Sequence, residues 1–257
     1  MLETTIASAR ASKVPEVTLL FWLLKIAATT LGETAGDAVS MSLGLGYLVG
    51  TAIFAAAFVI AVAIQIRAER FHPFLYWFTI IATTTVGTTL ADFADRSLGI
   101  GYAGGSALLL GLLVASLVVW HHTLGTIAVT SVSTPRAEMF YWVTIMFSQT
   151  LGTALGDWTA DSAGLGYTGA MLIFGALLAV LAGAYVWTSV SRTLLFWAAF
   201  VLTRPFGATM GDLLTKPPAK GGLGFGTIGS SAALLAVLVG LIVWSTRADR
   251  SRFQPAV

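Results

Sequence analysis

One motif, repeated four times at near-constant spacing, limits the folds open to this chain more than any other feature. G-x-x-x-G/A-D occurs as Gly32–Asp37, Gly87–Asp92, Gly152–Asp157 and Gly207–Asp212. A tryptophan stands fifteen positions before each aspartate: Trp22, Trp77, Trp142 and Trp197. Each copy then enters a glycine-rich turn and an aromatic residue: Gly44-Leu45-Gly46-Tyr47, Gly99-Ile100-Gly101-Tyr102, Gly164-Leu165-Gly166-Tyr167 and Gly222-Leu223-Gly224-Phe225. Successive aspartates are 55, 65 and 55 residues apart, so copies one and two map onto three and four at a constant 120. A hairpin duplicated twice accounts for this, with a longer middle linker around His121 to Pro135. A repeat on this period is one structural unit stacked against copies of itself.

The solvent of that unit follows from its composition. Soluble domains carry about 25% charged residues; this chain has 10%, with 56% hydrophobic residues and a mean hydropathy of +0.85. So few charges exclude a water-soluble enzyme and a disordered chain. With no cysteine, disulfides, thiolate metal sites and cysteine nucleophiles are excluded as well. The expected fold is an all-α membrane protein, a single transmembrane domain over 1–257. A span needs about 20 mostly apolar residues, and eight stretches qualify: 18–38, 47–66, 74–94, 102–120, 139–160, 167–187, 194–214 and 225–245. They pair into repeats 18–66, 74–120, 139–187 and 194–245. The polar stretch with Arg10, Lys13 and Glu16 precedes the first span without a small-residue cleavage site after it, which reads as a retained signal-anchor.

Nine basic residues fall on the side of the N-terminus (Arg10, Lys13, Arg67, Arg70, Arg136, Arg192, Arg247, Arg250 and Arg252) and three opposite (Arg96, Lys216 and Lys220). By the positive-inside rule both termini are cytoplasmic. The pI of 9.0 therefore reflects topology, not nucleic-acid binding. Trp22, Trp77, Trp142 and Trp197 open the odd spans, where indoles are expected as interface anchors.

The chain resembles a family of bacterial integral membrane proteins built from four copies of the repeat called domain of unknown function 347. Two transmembrane stretches and a characteristic tryptophan mark that repeat, matching Trp22, Trp77, Trp142 and Trp197. The resemblance spans nearly the whole chain and implies residence in the bacterial cytoplasmic membrane. It implies no activity, substrate or cofactor, so function has to come from the residues.

Two spans per repeat make every copy enter the membrane in the same direction, so the repeats are parallel and equivalent residues share a depth. Fifteen residues at about 1.5 Å each place an aspartate about 22 Å from its tryptophan, inside a core about 30 Å thick. The even spans are almost purely apolar, whereas the odd ones carry Lys25, Glu33, Arg204 and many Thr, Ser and Gln residues. Polar groups facing lipid are costly, so the odd helices are expected inside and the even helices on the lipid side. Gly32, Gly36, Gly87, Gly152, Gly156, Gly207 and Gly211 read as packing positions, since small residues four apart let helices approach closely.

Five carboxylates (Asp37, Asp92, Asp157, Asp212 and Glu33) then face two intramembrane cations, Lys25 and Arg204, a formal −3. Such an excess calls for protonation, water or a bound cation, and carboxylate rings select cations. The expectation is a transporter or channel for a cation, either a metal ion held by Asp37, Asp92, Asp157 and Asp212 or a proton-coupled substrate. Lys25 and Arg204 would act in gating or coupling. Lys25 replaces Ile80, Ile145 and Phe200 of the other copies; Glu33 replaces Thr88, Thr153 and Ala208; Arg204 replaces Thr29, Thr84 and Gln149.

Other readings stay open at this point. The aspartates could be structural clasps on loop amides, Ser40, Ser97, Ser162 or a tyrosine. Glu33 and Arg204 could be a register-fixing salt bridge, and Lys25, three residues from Trp22, could snorkel to the interface. Asp95, Arg96 and Asp161 read as solvated loop charges. An anion or organic-acid carrier would use Lys25 and Arg204, and a non-transporting scaffold or sensor would use neither. No nucleotide, zinc-helix or catalytic-triad motif is present, and His72, His121 and His122 lack ligand spacing. The expected partners are the lipid bilayer and a small cation, with no enzyme activity, cofactor or nucleic acid.

Overall fold

The computed structural model describes residues 12–252, with side chains up to Arg247. Arg10 and the side chains of Arg250 and Arg252, counted above for topology, lie outside the described residues. Among these residues there are eight long helices and no strand: α1 (Leu19–Asp37), α2 (Gly46–Arg67), α3 (Pro73–Asp92), α4 (Tyr102–Leu124), α5 (Pro135–Asp157), α6 (Gly166–Trp187), α7 (Arg192–Thr215) and α8 (Thr227–Arg252). Six of them, α2, α3, α4, α6, α7 and α8, are long and apolar enough to cross a membrane. The protein is an integral membrane protein on that ground. α1 and α5 are of similar length but too polar for the same criterion, because Lys25, Glu33 and Asp37 lie on one and Glu138, Ser148, Gln149 and Asp157 on the other.

Local chemistry sets the helix ends. Thr18, Thr134 and Ser191 accept from backbone amides at the starts of α1, α5 and α7, satisfying otherwise orphaned donors. Pro73 and Pro135 occupy first-turn positions where no amide proton is needed. After its aspartate, each of α1, α3 and α5 widens into one π turn, closed by Leu43 N to Ala38 O, Leu98 N to Phe93 O and Ala163 N to Trp158 O at 2.8–3.0 Å. Two left-handed glycines then redirect the chain: Gly44 and Gly46, Gly99 and Gly101, Gly164 and Gly166. In the fourth copy the equivalent pair is Gly224 and Gly226. The expected alignment on Gly222-Leu223-Gly224 is thus two residues out of register. Lys216-Pro217-Pro218 replaces the π turn there, since Pro217 cannot continue a helix.

The four odd helices contact one another in cyclic order, α1 to α3 to α5 to α7 and back to α1. Each even helix packs on the odd helix of the following repeat: α2 on α3, α4 on α5, α6 on α7, and α8 on α1. Every hairpin is therefore clamped to its successor, and the last to the first. Burial follows the same division, with 72% of the most apolar stretch of α3 buried against 11% of that of α2.

Two cyclic rules hold the ring together. The first is glycine packing. A Cβ added at Gly32 would overlap Thr84, one at Gly87 would press on Gln149, one at Gly152 would overlap Arg204, and one at Gly207 would overlap Thr29. The first motif glycine of each repeat thus receives the residue eight before the aspartate of the next. One turn on, Gly36 meets Thr88, Gly156 meets Ala208 and Gly211 meets Glu33.

The second rule is aromatic. Phe21 packs on Trp77, Tyr76 on Trp142, Tyr141 on Trp197 and Phe196 on Trp22, with ring centroids 5.6–6.2 Å apart. Trp77, Trp142 and Trp197 are buried and Trp22 is half-buried. All four indoles join successive repeats, and three of them, Trp77, Trp142 and Trp197, are buried there. The exposed indoles are Trp187 and Trp244 on even helices and Trp158 on the π turn after α5. This end of the ring is closed by the linker after α4 and by residues 12–14. Ile127 O accepts from Trp197 Nε1 at 3.0 Å, Lys13 N donates to Val132 O, and Lys13 Nζ pairs with Glu138 at 2.6 Å.

Glycine packing makes a direct prediction. Gly207→Ala should lower stability by about 1–3 kcal/mol, the usual cost of overpacking. Gly111→Ala on α4, where a Cβ meets nothing within 4 Å, should be neutral or slightly stabilising. Thermal unfolding of both variants in detergent checks this, and equal midpoints would refute the packing role.

Candidate functional site

Stepping back from the aspartates by four residues, about one turn, gives five levels across the ring. They are the aspartates; Glu33, Thr88, Thr153 and Ala208; Thr29, Thr84, Gln149 and Arg204; Lys25, Ile80, Ile145 and Phe200; and Phe21, Tyr76, Tyr141 and Phe196. None of these twenty side chains belongs to a residue more than 7% exposed. The last level is an aromatic floor in which the Tyr76 and Tyr141 hydroxyls bond at 2.6 Å.

Arg204 is the hub of the ring. It extends from α7, its stem lying where Gly152 of α5 leaves room, and touches all three other odd helices. Its Nη2 lies 3.0 Å from Glu33 Oε2, 2.6 Å from Thr88 Oγ1, 2.6 Å from Thr153 Oγ1 and 3.4 Å from Thr84 O. The Glu33–Arg204 salt bridge considered from sequence is thus formed. Pro205 is accommodated within α7, which continues to Thr215 as one helix.

The aspartates are paired two by two. Arg96 binds Asp92 through Nε at 2.8 Å and Asp157 through Nη2 at 3.2 Å. Lys216 bonds Asp37 and lies 3.2 Å from Asp212. Each cation therefore joins the aspartate one turn before it to that of the next repeat. Repeats one and three have Met41 and Asp161 at the same position, so the alternation has a twofold character.

This corrects two expectations. Arg96, though exposed, pairs with two buried aspartates instead of standing as a free loop charge, and Lys216 is more than a topological marker. With both included, the formal −3 becomes −1. The spacing of four that joins Asp92 to Arg96 and Asp212 to Lys216 was the available signal, because residues four apart share a helix face. Burial pulls the Lys216 ammonium down, but the Asp212 and Asp37 carboxylates outweigh it and hold its pKa above the ordinary lysine range. The clasp reading from sequence placed loop amides, serines or a tyrosine on the aspartates; the polar partners found are these two cations, and Ser40 instead bonds Gly36 O.

The carboxylates are not equally spaced. Glu33, Asp37 and Asp212 each offer an oxygen, all within 4.8 Å of one another. Hard oxygen donors in that number suit a cation such as Mg²⁺, Ca²⁺ or Mn²⁺. Among the described residues, the grouping that could hold a metal is therefore this triad, in place of the four aspartates expected together. Asp92 and Asp157 form a separate pair on Arg96.

Lys25 is 0% exposed and does not snorkel. Its Nζ lies 3.5 Å from Thr203 Oγ1 and 4.0 Å from the centre of the Phe200 ring. Among the described residues no carboxylate lies within ion-pair distance of it. Asp161 is exposed. Two apolar grooves, of about 290 and 310 Å³, lie against α8, and neither is lined by a charged residue.

A family model described as the Repeat of Unknown Function (DUF347) matches the chain four times, at residues 20–71, 75–126, 140–191 and 195–251. Each match takes in one hairpin and one motif aspartate. No curated protein and no solved structure matches the chain.

The shared counter-ion predicts a specific rescue. Arg96→Met should destabilise the protein by leaving Asp92 and Asp157 without a cation, and adding Asp157→Asn should restore part of the loss. A double-mutant cycle on unfolding midpoints should give a coupling above about 1 kcal/mol, the range for residues in one ion-pair network. Additive losses would show that Arg96 does not bridge the pair.

Proposed function

Since the chain belongs to the family of the DUF347 repeat, whose description assigns no activity, we propose from the residues themselves that this protein carries a small cation across the bacterial cytoplasmic membrane. In this reading all eight helices span the bilayer, with both termini cytoplasmic. The odd helices form the interior and the even helices face lipid. α1 and α5, the two most polar, are sheltered from lipid by their neighbours, which is the condition under which charged groups persist in a membrane.

The observation that carries the proposal is the carboxylate triad. Glu33, Asp37 and Asp212 gather within 4.8 Å, buried, with Lys216 bridging two of them and Arg204 holding the third. Lys216 is a tethered cation standing at a cation site. An incoming metal ion or proton would take over the neutralisation of Asp37 and Asp212 and release the lysine side chain, which is 13% exposed. Arg204, fixed at the ring centre, balances Glu33 throughout. The aromatic floor would then be the barrier on the cytoplasmic side.

One observation favours a second reading, a non-transporting scaffold. The ring interior is filled by side chains at the aromatic floor, and neither groove reaches the aspartates.

Flux measurements in reconstituted vesicles separate the two. The expected result is uptake of a divalent cation or of protons that falls at least about tenfold in Asp37→Asn/Asp212→Asn and in Asp92→Asn/Asp157→Asn, the loss of one charge-assisted contact or more. Wild-type vesicles that carry none of these ions support the scaffold. Flux unchanged in both double variants makes the ring structural.

A further inference from the structure

Below the carboxylates the charge imbalance reverses sign. Lys25 and Arg204 occupy adjacent levels on the α1–α7 side of the ring, joined through Thr203, which neighbours Arg204 and lies 3.5 Å from Lys25 Nζ. Against these two cations stands only Glu33. All of Arg204's hydrogen bonds are made through Nη2; its Nε and Nη1, both buried, have no partner. On α5, at the level of Arg204, Gln149 is 0% exposed and both its side-chain nitrogen and its oxygen are unpartnered. The adjacent Ser148 Oγ and the Thr84 Oγ1 across the ring are unpartnered as well.

Unpaired buried polar atoms are rare in folded proteins, and an unpaired buried guanidinium nitrogen is costlier still. Among the described residues, six such atoms belong to Arg204, Gln149, Ser148 and Thr84. With the Lys25 ammonium one turn below, they place guanidinium, amide and ammonium donors and two hydroxyls on neighbouring levels of the ring. We propose that this cluster is a buried anion site for a halide-sized ion, held by Lys25, Arg204 and Gln149. Donors dominate it: Lys25 and Arg204 can only donate, and Gln149 has an unpartnered amide nitrogen to offer. The size class follows from the packing, because Gly87 and Gly152 draw the helices together at this level. A monatomic anion would neutralise the unpaired Lys25 and supply an acceptor to the orphaned guanidinium nitrogens. The site is separate from the carboxylate triad, and its existence does not depend on cation transport.

The test uses the full chain in detergent, exchanging sodium gluconate for sodium chloride or bromide at constant ionic strength. The expected result is a saturable rise in the unfolding midpoint with either halide, as binding to the native state alone requires. Crystals grown in bromide should show an anomalous peak between Lys25 and Gln149. Lys25→Met and Gln149→Leu should each raise the half-saturating bromide concentration by about tenfold or more. Both are used beside Arg204→Gln, which also removes the partner of Glu33 and is liable to misfold. Midpoints identical in gluconate and halide, a level occupied by water alone, or full halide stabilisation in Lys25→Met would each overturn the proposal.

Discussion

The close approach of α1, α3, α5 and α7 at their glycines is the constraint on which the rest of the structure depends. Lipid provides no hydrophobic drive for helices to associate, so van der Waals contact between backbones must do so. The first motif glycine accepts a side chain from the next repeat, and the glycine or alanine before the aspartate continues the row. Because every contact runs from one repeat to its successor, four of them close a ring. That closure removes the Thr, Gln and Arg side chains from the exterior. A residue such as Arg204 is tolerable only because Gly152 leaves space for its stem and three neighbouring helices supply acceptors to its Nη2.

Packing obeys the fourfold rule and charge does not. The glycine contacts and the tryptophan contacts each recur in all four repeats. The cations Arg96 and Lys216 occur in alternate repeats, and Glu33, Lys25 and Arg204 occur once each. Repetition thus built the container, and the departures from it determine what the interior can bind. Among the described residues the carboxylate triad exists only where Glu33 of the first repeat meets Asp37 and Asp212 across the closing α7–α1 contact.

Much of this was legible in the sequence, and what was not has physical reasons. Helix number and the two-helix repeat follow from hydropathy and spacing, and the need to neutralise intramembrane charge made Glu33–Arg204 one of the readings the sequence left open. Register between repeats does not follow, because no one-dimensional pattern says which helix α2 leaves and which it joins. The tryptophans illustrate this: an indole at the start of a span reads as an anchor unless the aromatic residue packing on it from the preceding repeat is known. Arg96 and Lys216 were missed because a charge just past a span resembles a solvated one. The π turn carries the chain one helical turn beyond Asp92 and sets Arg96 back over the carboxylates, as the last turn of α7 does for Lys216.

The two halves of the aspartate level are unlike in a way that bears on the proposed transport. Arg96 grips Asp92 and Asp157 through two different nitrogens of one rigid plane, a geometry that loses both bonds together when it moves. Lys216 meets Asp37 and Asp212 with a single compact ammonium on a flexible stem, which can turn away without strain. Guanidinium and ammonium are not interchangeable in such settings. The Lys216 half also holds the third carboxylate, Glu33, so it keeps more negative charge when its cation leaves. Exchange of a tethered cation for a free one is therefore easier beside Lys216, and the Arg96 half is the better suited to stay closed as a fixed wall of the site.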